Sequence, residues 1–341
     1  MTIKRLFKSR LFLTGFLLLT SLFLISIFYY IFFKDYIPLA SLIYANDGKP
    51  LQAPYSASIY PPLGTDEFGR NIAIVMIVGA KYTIGAAIII SLIRVVPAVF
   101  IGLILQFFMK SLKKPLKSIA ESINYFPTTL LAFLLLNWIS LEGVLEQETL
   151  PSMGIQILMY VCVLSFIFVP LNSILISNEI EIIYNKEFIK PSITLGADSW
   201  HIIRKHIRPF LVPQISLIFI REFIQTLILM AHLGILGIFI GGTVFMENLF
   251  GRSTPASPSS EWAGVLGIWW DYLWTSYPWI AFIPITFLTL LILAAKAILE
   301  ALEKTLNTEA YEIHMPSQDN IKRSNLDMLK PFDLISSKEN N

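Results

Sequence analysis

Stretches of about twenty apolar residues, separated by polar and basic segments, set the pattern of the chain. The clear ones are Leu11 to Phe33, Ile84 to Phe108, Gly154 to Ser177, Val212 to Gly234 and Trp279 to Leu299. A sixth has a strongly apolar part, Thr128 to Leu141, which reaches spanning length if a helix begins near Lys117 and runs through Pro127. A hydrocarbon layer about 30 Å thick takes roughly 20 helical residues, and backbone polar groups in lipid must bond within their own segment. The pattern predicts an all-α, polytopic membrane protein with six transmembrane helices.

Basic residues orient these spans, because Lys and Arg flanks are retained on the cytoplasmic side. With the N-terminus inside, the inner segments hold Lys4, Arg5, Lys8, Arg10, Lys110, Lys113, Lys114, Lys117, Lys186, Lys190, Arg204, Lys205, Arg208, Lys304, Lys322, Arg323, Lys330 and Lys338. The outer segments hold only Lys34, Lys49, Arg70 and Arg252. Both termini are therefore expected in the cytoplasm of a multi-pass cell-membrane protein. The first span exceeds the usual core of a cleaved secretory signal and five more follow, so it is read as a retained anchor.

Composition agrees with this class: 55% hydrophobic and 15% charged residues, with a mean hydropathy of +0.65. A formal charge of +2 gives no general argument for a nucleic-acid partner. The single cysteine, Cys162, excludes intrachain disulfides and cysteine-rich zinc sites. There is no phosphate-cradling GxxxxGK[ST], no HExxH and no GxSxG, and His201, His206, His232 and His314 form no dense ligand cluster in sequence. The chain is thus expected to be a non-catalytic subunit without metal or cofactor of its own.

Between the spans, Lys34 to Arg70 carries Pro38, Pro50, Pro54, Pro61 and Pro62 and is too broken for a long helix. Ile235 to Pro278 holds a flexible-looking run, Ser253 to Ser260, then Trp262, Trp269, Trp270 and Trp274, which suit either a headgroup belt or a gate. After Asn307 the composition turns polar, as in a loosely ordered tail.

The inner segment Asn178 to Leu211 reads as two short helices meeting at Gly196, with Asp198 or Ser199 capping the second and Pro209 stopping it. Trp200, Ile203 and Ile207 recur on one face, with His201, Arg204, Lys205 and Arg208 on the remainder. Amphipathicity alone equally suits an interfacial helix on anionic lipid.

The order of residues in this segment goes further. Lys186 to Pro209, KEFIKPSITLGADSWHIIRKHIRP, resembles the cytoplasmic EAA loop of ABC-importer permeases of the dipeptide and oligopeptide group. The family's central Gly falls on Gly196, and its aromatic, isoleucine pair and closing Ile-x-Pro fall on Trp200, Ile202, Ile203, Ile207 and Pro209. Pro62 to Asn71, PLGTDEFGRN, resembles that group's LGTDxxGRD signature, with Gly64, Thr65, Asp66, Gly69 and Arg70 at matching positions. Glu261 to Trp279 resembles its EW…DYL…PW stretch, beginning at Glu261 and Trp262. Together these resemblances cover the chain from about Pro62 to Asn307. Two departures stand out: Lys190, Pro191 and Ser192 replace the usual Glu-Ala-Ala triplet, and Gly237 to Ser260 is longer than usual.

The resemblance implies a permease subunit forming half of a translocation pathway for peptides or similar small solutes. It also implies a second homologous permease, two ATPase subunits that bind ATP and Mg, and an extracellular substrate-binding protein. Gly196, Asp198, Trp200, Ile203, Arg204, Lys205, Ile207 and Arg208 would then face the ATPase as a coupling helix. On this reading residues 1–34 are the N-terminal segment and first anchor, 35–71 an extracellular loop, 72–306 the permease domain with its coupling loop at 178–211, and 307–341 the polar tail.

Arg94, Arg221, Glu222 and His232 lie within spans, where ionisable groups usually face a partner or a cavity. Glu222 is expected to pair with Arg94 or Arg221, either near the translocation path, where it would help recognise a peptide terminus, or as a structural ion pair between helices or with a second permease chain. Two other readings stay open from the residues: a secondary transporter that uses such charges for ion coupling, and a membrane scaffold that has lost transport, suggested by the altered triplet.

Overall fold

Ser9 and Asn71 start the first two long helices. The computed structural model describes residues 3–41, 44, 53–145, 153–247 and 253–314. After a single turn, α1 (Ile3–Leu6), the Ser9 hydroxyl accepts the Phe12 N–H and opens α2 (Arg10–Phe33), which ends at Lys34 in the left-handed region. The Asn71 side chain accepts the Ala73 and Ile74 N–H groups at the head of α3 (Ile72–Phe107). This helix begins well before Ile84, where hydropathy placed its start. Lys81 does not end the apolar run, because its ammonium is paired with Asp35 at 2.6 Å and lies over the Tyr82 ring.

The sixth span is not one helix through Pro127. α4 (Lys110–Asn124) and α5 (Thr128–Leu145) meet at 87°. Proline disfavours helix in the residue before it and offers no N–H, so the chain turns at Tyr125–Phe126. By length and composition, five helices suffice to cross a membrane, or six if this bent pair counts as one. The next span is broken as well, into α6 (Met153–Phe166) and α7 (Val169–Tyr184), with Pro170 in the first turn of α7. It runs past the expected end at Ser177.

The loop that follows is shorter than expected. It contains α8 (Lys190–Thr194), turns at Gly196, and re-enters helix at α9 (Ser199–Ile202). A π-helical stretch, Ile203–Ile207, then leads directly into α10 (Arg208–Ile235). Pro209 was expected to stop the helix and does not. It falls in the first turn of α10, and the wider hydrogen bonding just before it, with Arg208 N–H donating to the Ile203 carbonyl, absorbs the change of register.

Beyond α10 the run expected to be flexible is built. Ser253–Ala256 (β2) pairs antiparallel with Val244–Glu247 (β1), and Ser257, Ser259 and Ser260 are buried. The headgroup-belt reading fails for two of the tryptophans. Trp262 and Trp269 bracket α11 (Trp262–Trp269) and are fully buried, whereas Trp274 is exposed. The last helix, α12 (Trp279–His314), passes Leu299 and Asn307, where the span and the tail were expected to divide. Residues 315–341, and with them Lys322, Arg323, Lys330 and Lys338, lie outside the described residues, as do Lys49, Pro50 and Arg252.

α3 lies at the centre, against α2, α6, α7, α10 and α11, and α12 packs against α2 and α10. The main core gathers Ile72, Met76, Ile84 and Ile90 of α3 with Leu227 and Met230 of α10, Trp262 and Trp269 of α11, and Leu291 of α12. A second apolar cluster lies where the ends of α3 and α7 meet the 186–209 loop. The molecule is a polytopic all-α membrane protein, with one small hairpin among the described residues.

Candidate coupling loop and buried ion pair

The 186–209 loop owes its shape to two local causes. Gly196 adopts φ +83°, a conformation closed to most side chains, and closes α8: its N–H donates to the Ile193 carbonyl, and the Ala197 N–H to that of Ser192. Asp198 precedes α9 in extended conformation as its N-cap residue. Pro191 stands in the first turn of α8, where its missing N–H has no helical partner to lose.

The apolar face of the second half is not the expected one. Ile202 and Ile207 are buried, Ile203 is half-buried, and Trp200 is 66% exposed. Residues three and seven apart share a face of an α-helix, but the intervening π turn carries more residues per turn and brings Ile202 and Ile207 together instead. They pack with Val95 and Ala98 of α3, Ile176, Ile180 and Ile183 of α7, and Ile189. Ser192 Oγ and His206 Nε2 lie 3.1 Å apart and tie α8 to the π turn. The base of the loop is thus fixed to two spans. Its tip presents Leu195, 88% exposed, with Trp200 66% exposed beyond the Gly196 turn; Arg204, Lys205 and Arg208 are exposed farther along the loop.

Of the intramembrane charges, the structure joins two. Arg94 is fully buried and meets Glu222 of α10, Nη1 to Oε2, at 3.1 Å. Its Nε donates to the Leu164 carbonyl at 2.9 Å, and its guanidinium lies 3.9 Å from the centre of the Phe168 ring. The break between α6 and α7 makes that carbonyl available, because the Phe168 N–H bonds Ser165 rather than Leu164. Arg94 therefore caps the end of α6 while pairing with α10, holding three spans at one point. Arg221 points elsewhere, to Glu303 at 2.7 Å on the exposed side of α12. His232 Nδ1 lies 3.4 Å from the Thr129 hydroxyl. Neither joins the Arg94 cluster.

At the opposite end of the bundle lie the Pro62 to Asn71 and Glu261 to Trp279 stretches. Asp66 is fully buried; its carboxylate accepts the Phe68 and Arg70 N–H groups and pairs with the Arg70 guanidinium at 2.7 Å. Burial pushes its pKa up, partly offset by Arg70. Gly64 and Gly69 close the turns on either side with positive φ. Thr65 Oγ1 accepts the Tyr55 N–H. The whole turn delivers Asn71 to the head of α3.

Glu261 caps α11, its carboxylate accepting the Ala263 and Gly264 N–H groups at 3.0 and 2.8 Å. Trp262 then pins α11 to α3, its N–H donating to the Thr83 hydroxyl and its indole N–H to the Met76 carbonyl. Burial raises the Glu261 carboxyl to about 7 against these backbone donors. The folded chain therefore holds a proton there that the unfolded chain releases between pH ~4.5 and ~7. Stability should fall as pH rises through that window, by up to roughly 3 kcal/mol. Melting in detergent across the window checks this. Because Asp66 titrates with the same sign, the quantity to read is the difference between wild type and Glu261→Gln, in which the slope should flatten.

Among the described residues no group of His, Cys, Asp and Glu is arranged to hold a metal ion. What the arrangement offers is mechanical: an exposed knob on a loop rooted in α3 and α7, and an ion pair joining α3, α6 and α10.

No curated protein matches the chain closely enough to count as a relative. Residues 98–308, well over half of the chain, match the family described as the binding-protein-dependent transport system inner membrane component. The match begins inside α3 and takes in the broken spans, the 186–209 loop, the Arg94 partner Glu222 and nearly all of α12. The chain belongs to that family, the inner-membrane permeases of ABC transporters.

Proposed function

We propose that this chain is a permease subunit of a peptide-type ABC importer and that the 186–209 loop is its coupling element. One observation carries the reading: Leu195 and Trp200 are apolar and exposed at the tip of a loop whose base, Ile202 and Ile207, is buried against α3 and α7. A subunit gripping the tip moves those spans. The loop end of the bundle, where Lys110, Lys113, Lys186 and Arg204 gather, then faces the cytoplasm, and the Pro62 to Asn71 turn faces outward. The family supports ATPase and substrate-binding partners in general; in the proposed assembly a second homologous permease completes the pathway, two ATPase subunits supply ATP and Mg chemistry, and an extracellular protein delivers the solute. The peptide assignment rests on the likeness of Pro62 to Asn71 and Glu261 to Trp279 to the peptide group.

Uptake by the reconstituted complex tests this reading. Replacing Leu195 and Trp200 together by alanine should weaken the permease–ATPase association by about 30-fold or more, as for a central aromatic anchor, and should lower ATP-driven uptake accordingly. The melting temperature of the permease itself should stay near that of wild type, because both side chains are already in solvent. Competition by short peptides checks the substrate class. Uptake that survives ATP depletion and is abolished by an uncoupler would overturn the proposal in favour of an ion-driven carrier.

A further inference from the structure

α4 divides its surface three ways. Ala120 and the stem of Lys113 face inward; Ala120 packs against Leu105 and Ile174, and Lys113 reaches Glu181 of α7 at 2.5 Å. A second face carries Leu112 and Ile119, both exposed. On a helical projection Lys110, Lys114 and Lys117 fall on the third, nearly opposite Leu112 and Ile119, and all three are exposed. Among these, Lys117 is 3.6 Å from Glu121. Exposed aromatic and apolar residues flank the helix, Phe108 and Met109 before it and Tyr125, 91% exposed, after it.

We infer that α4 is a membrane-surface helix seated on anionic phospholipid of the inner leaflet. The 87° angle to α5 lays α4 along the bilayer plane when α5 stands across it. A helix so placed sinks its apolar face to the boundary between headgroups and acyl chains and leaves its cations at the phosphates. Charge complementarity selects the occupant: lysines on the far side of an exposed apolar strip match a negatively charged lipid surface, and a zwitterionic one satisfies only the strip. The 186–209 loop lacks this geometry, since Ile202 and Ile207 face protein. Tied to α7 by Lys113 and Glu181, α4 would fix the loop-bearing end of α7 at a set depth. The choice of leaflet rests on the orientation given under Proposed function; the seating on lipid does not.

Spin labels on the full chain in lipid nanodiscs test the seating. In a Cys162→Ser background, a label at Ile119→Cys should collide with oxygen several-fold more readily than with a water-soluble nickel chelate, and a label at Lys114→Cys should do the reverse. Replacing Lys110, Lys114 and Lys117 by glutamine should lower retention of phosphatidylglycerol over phosphatidylcholine several-fold, with the melting temperature unchanged. A label at Ile119→Cys that is shielded from both collision partners, or open to nickel, would overturn the seating, and so would lipid retention indifferent to the lysines. Modification of Lys114→Cys by a membrane-impermeant maleimide added outside intact cells would instead overturn the orientation, and the proposed function with it.

Discussion

Arg94→Ala is expected to destabilise the folded chain by about 3–5 kcal/mol, the cost of leaving one member of a buried ion pair alone. Glu222 is nearly as buried as its partner, so its charge would lack the Arg94 guanidinium while the Leu164 carbonyl lost its donor. Glu222→Ala should cost less, because Arg94 would keep the carbonyl and the Phe168 ring. The geometry also decides which double variant rescues. Exchanging the charges, Arg94→Glu with Glu222→Arg, would aim a carboxylate at the Leu164 carbonyl and should restore little. Replacing both by apolar residues, Arg94→Met with Glu222→Leu, removes both charges and should recover most of the loss. Thermal melting of the four variants in one detergent checks the order. Full recovery by the charge exchange would show that the α6 carbonyl contributes nothing.

Gly267→Ala is expected to separate α10 from α11. A Cβ at Gly267 would lie 1.8 Å from the Gly234 carbonyl oxygen, and one at Gly234 would lie 2.1 Å from the Ala263 oxygen. Both obstacles are backbone, so no side chain can swing away, and the cost should reach or exceed the upper end of about 1–3 kcal/mol typical of overpacking. Since the two glycines face one another across a single seam, the double alanine variant should cost less than the sum of the singles. Gly85, with open space around it, serves as the control: Gly85→Ala should leave the melting temperature unchanged or slightly raised. A Gly267→Ala protein that melts like wild type would mean the two backbones are not in contact.

The spans were legible because burial in lipid leaves a mark that needs no partner: twenty apolar residues in a row. Their ends were not, since each depended on a contact distant in sequence. Lys81 looks like a boundary until Asp35 neutralises it, and Pro209 looks like a stop until a π turn places it at a helix start. Leu164 carries no sign that its carbonyl will be taken by Arg94, seventy positions earlier. Gly196 was readable, because a positive φ has a local cause. The face containing Ile202 and Ile207 was not, because the regular helical period breaks at the π turn of Ile203–Ile207 and nothing local in the sequence marks that break. Trp262 shows the limit of composition: an indole suits a headgroup zone or a core equally, and only the Met76 carbonyl that takes its N–H decides.

The most direct measurement places a photo-activated crosslinking residue at Trp200 in the complex purified from cells and identifies what it captures. Transmission through the 186–209 loop requires capture of a nucleotide-binding subunit, with a yield that changes between nucleotide-free and ATP-bound states. Capture of lipid alone, or a Trp200→Cys variant modified from outside the cell by an impermeant reagent, would contradict it.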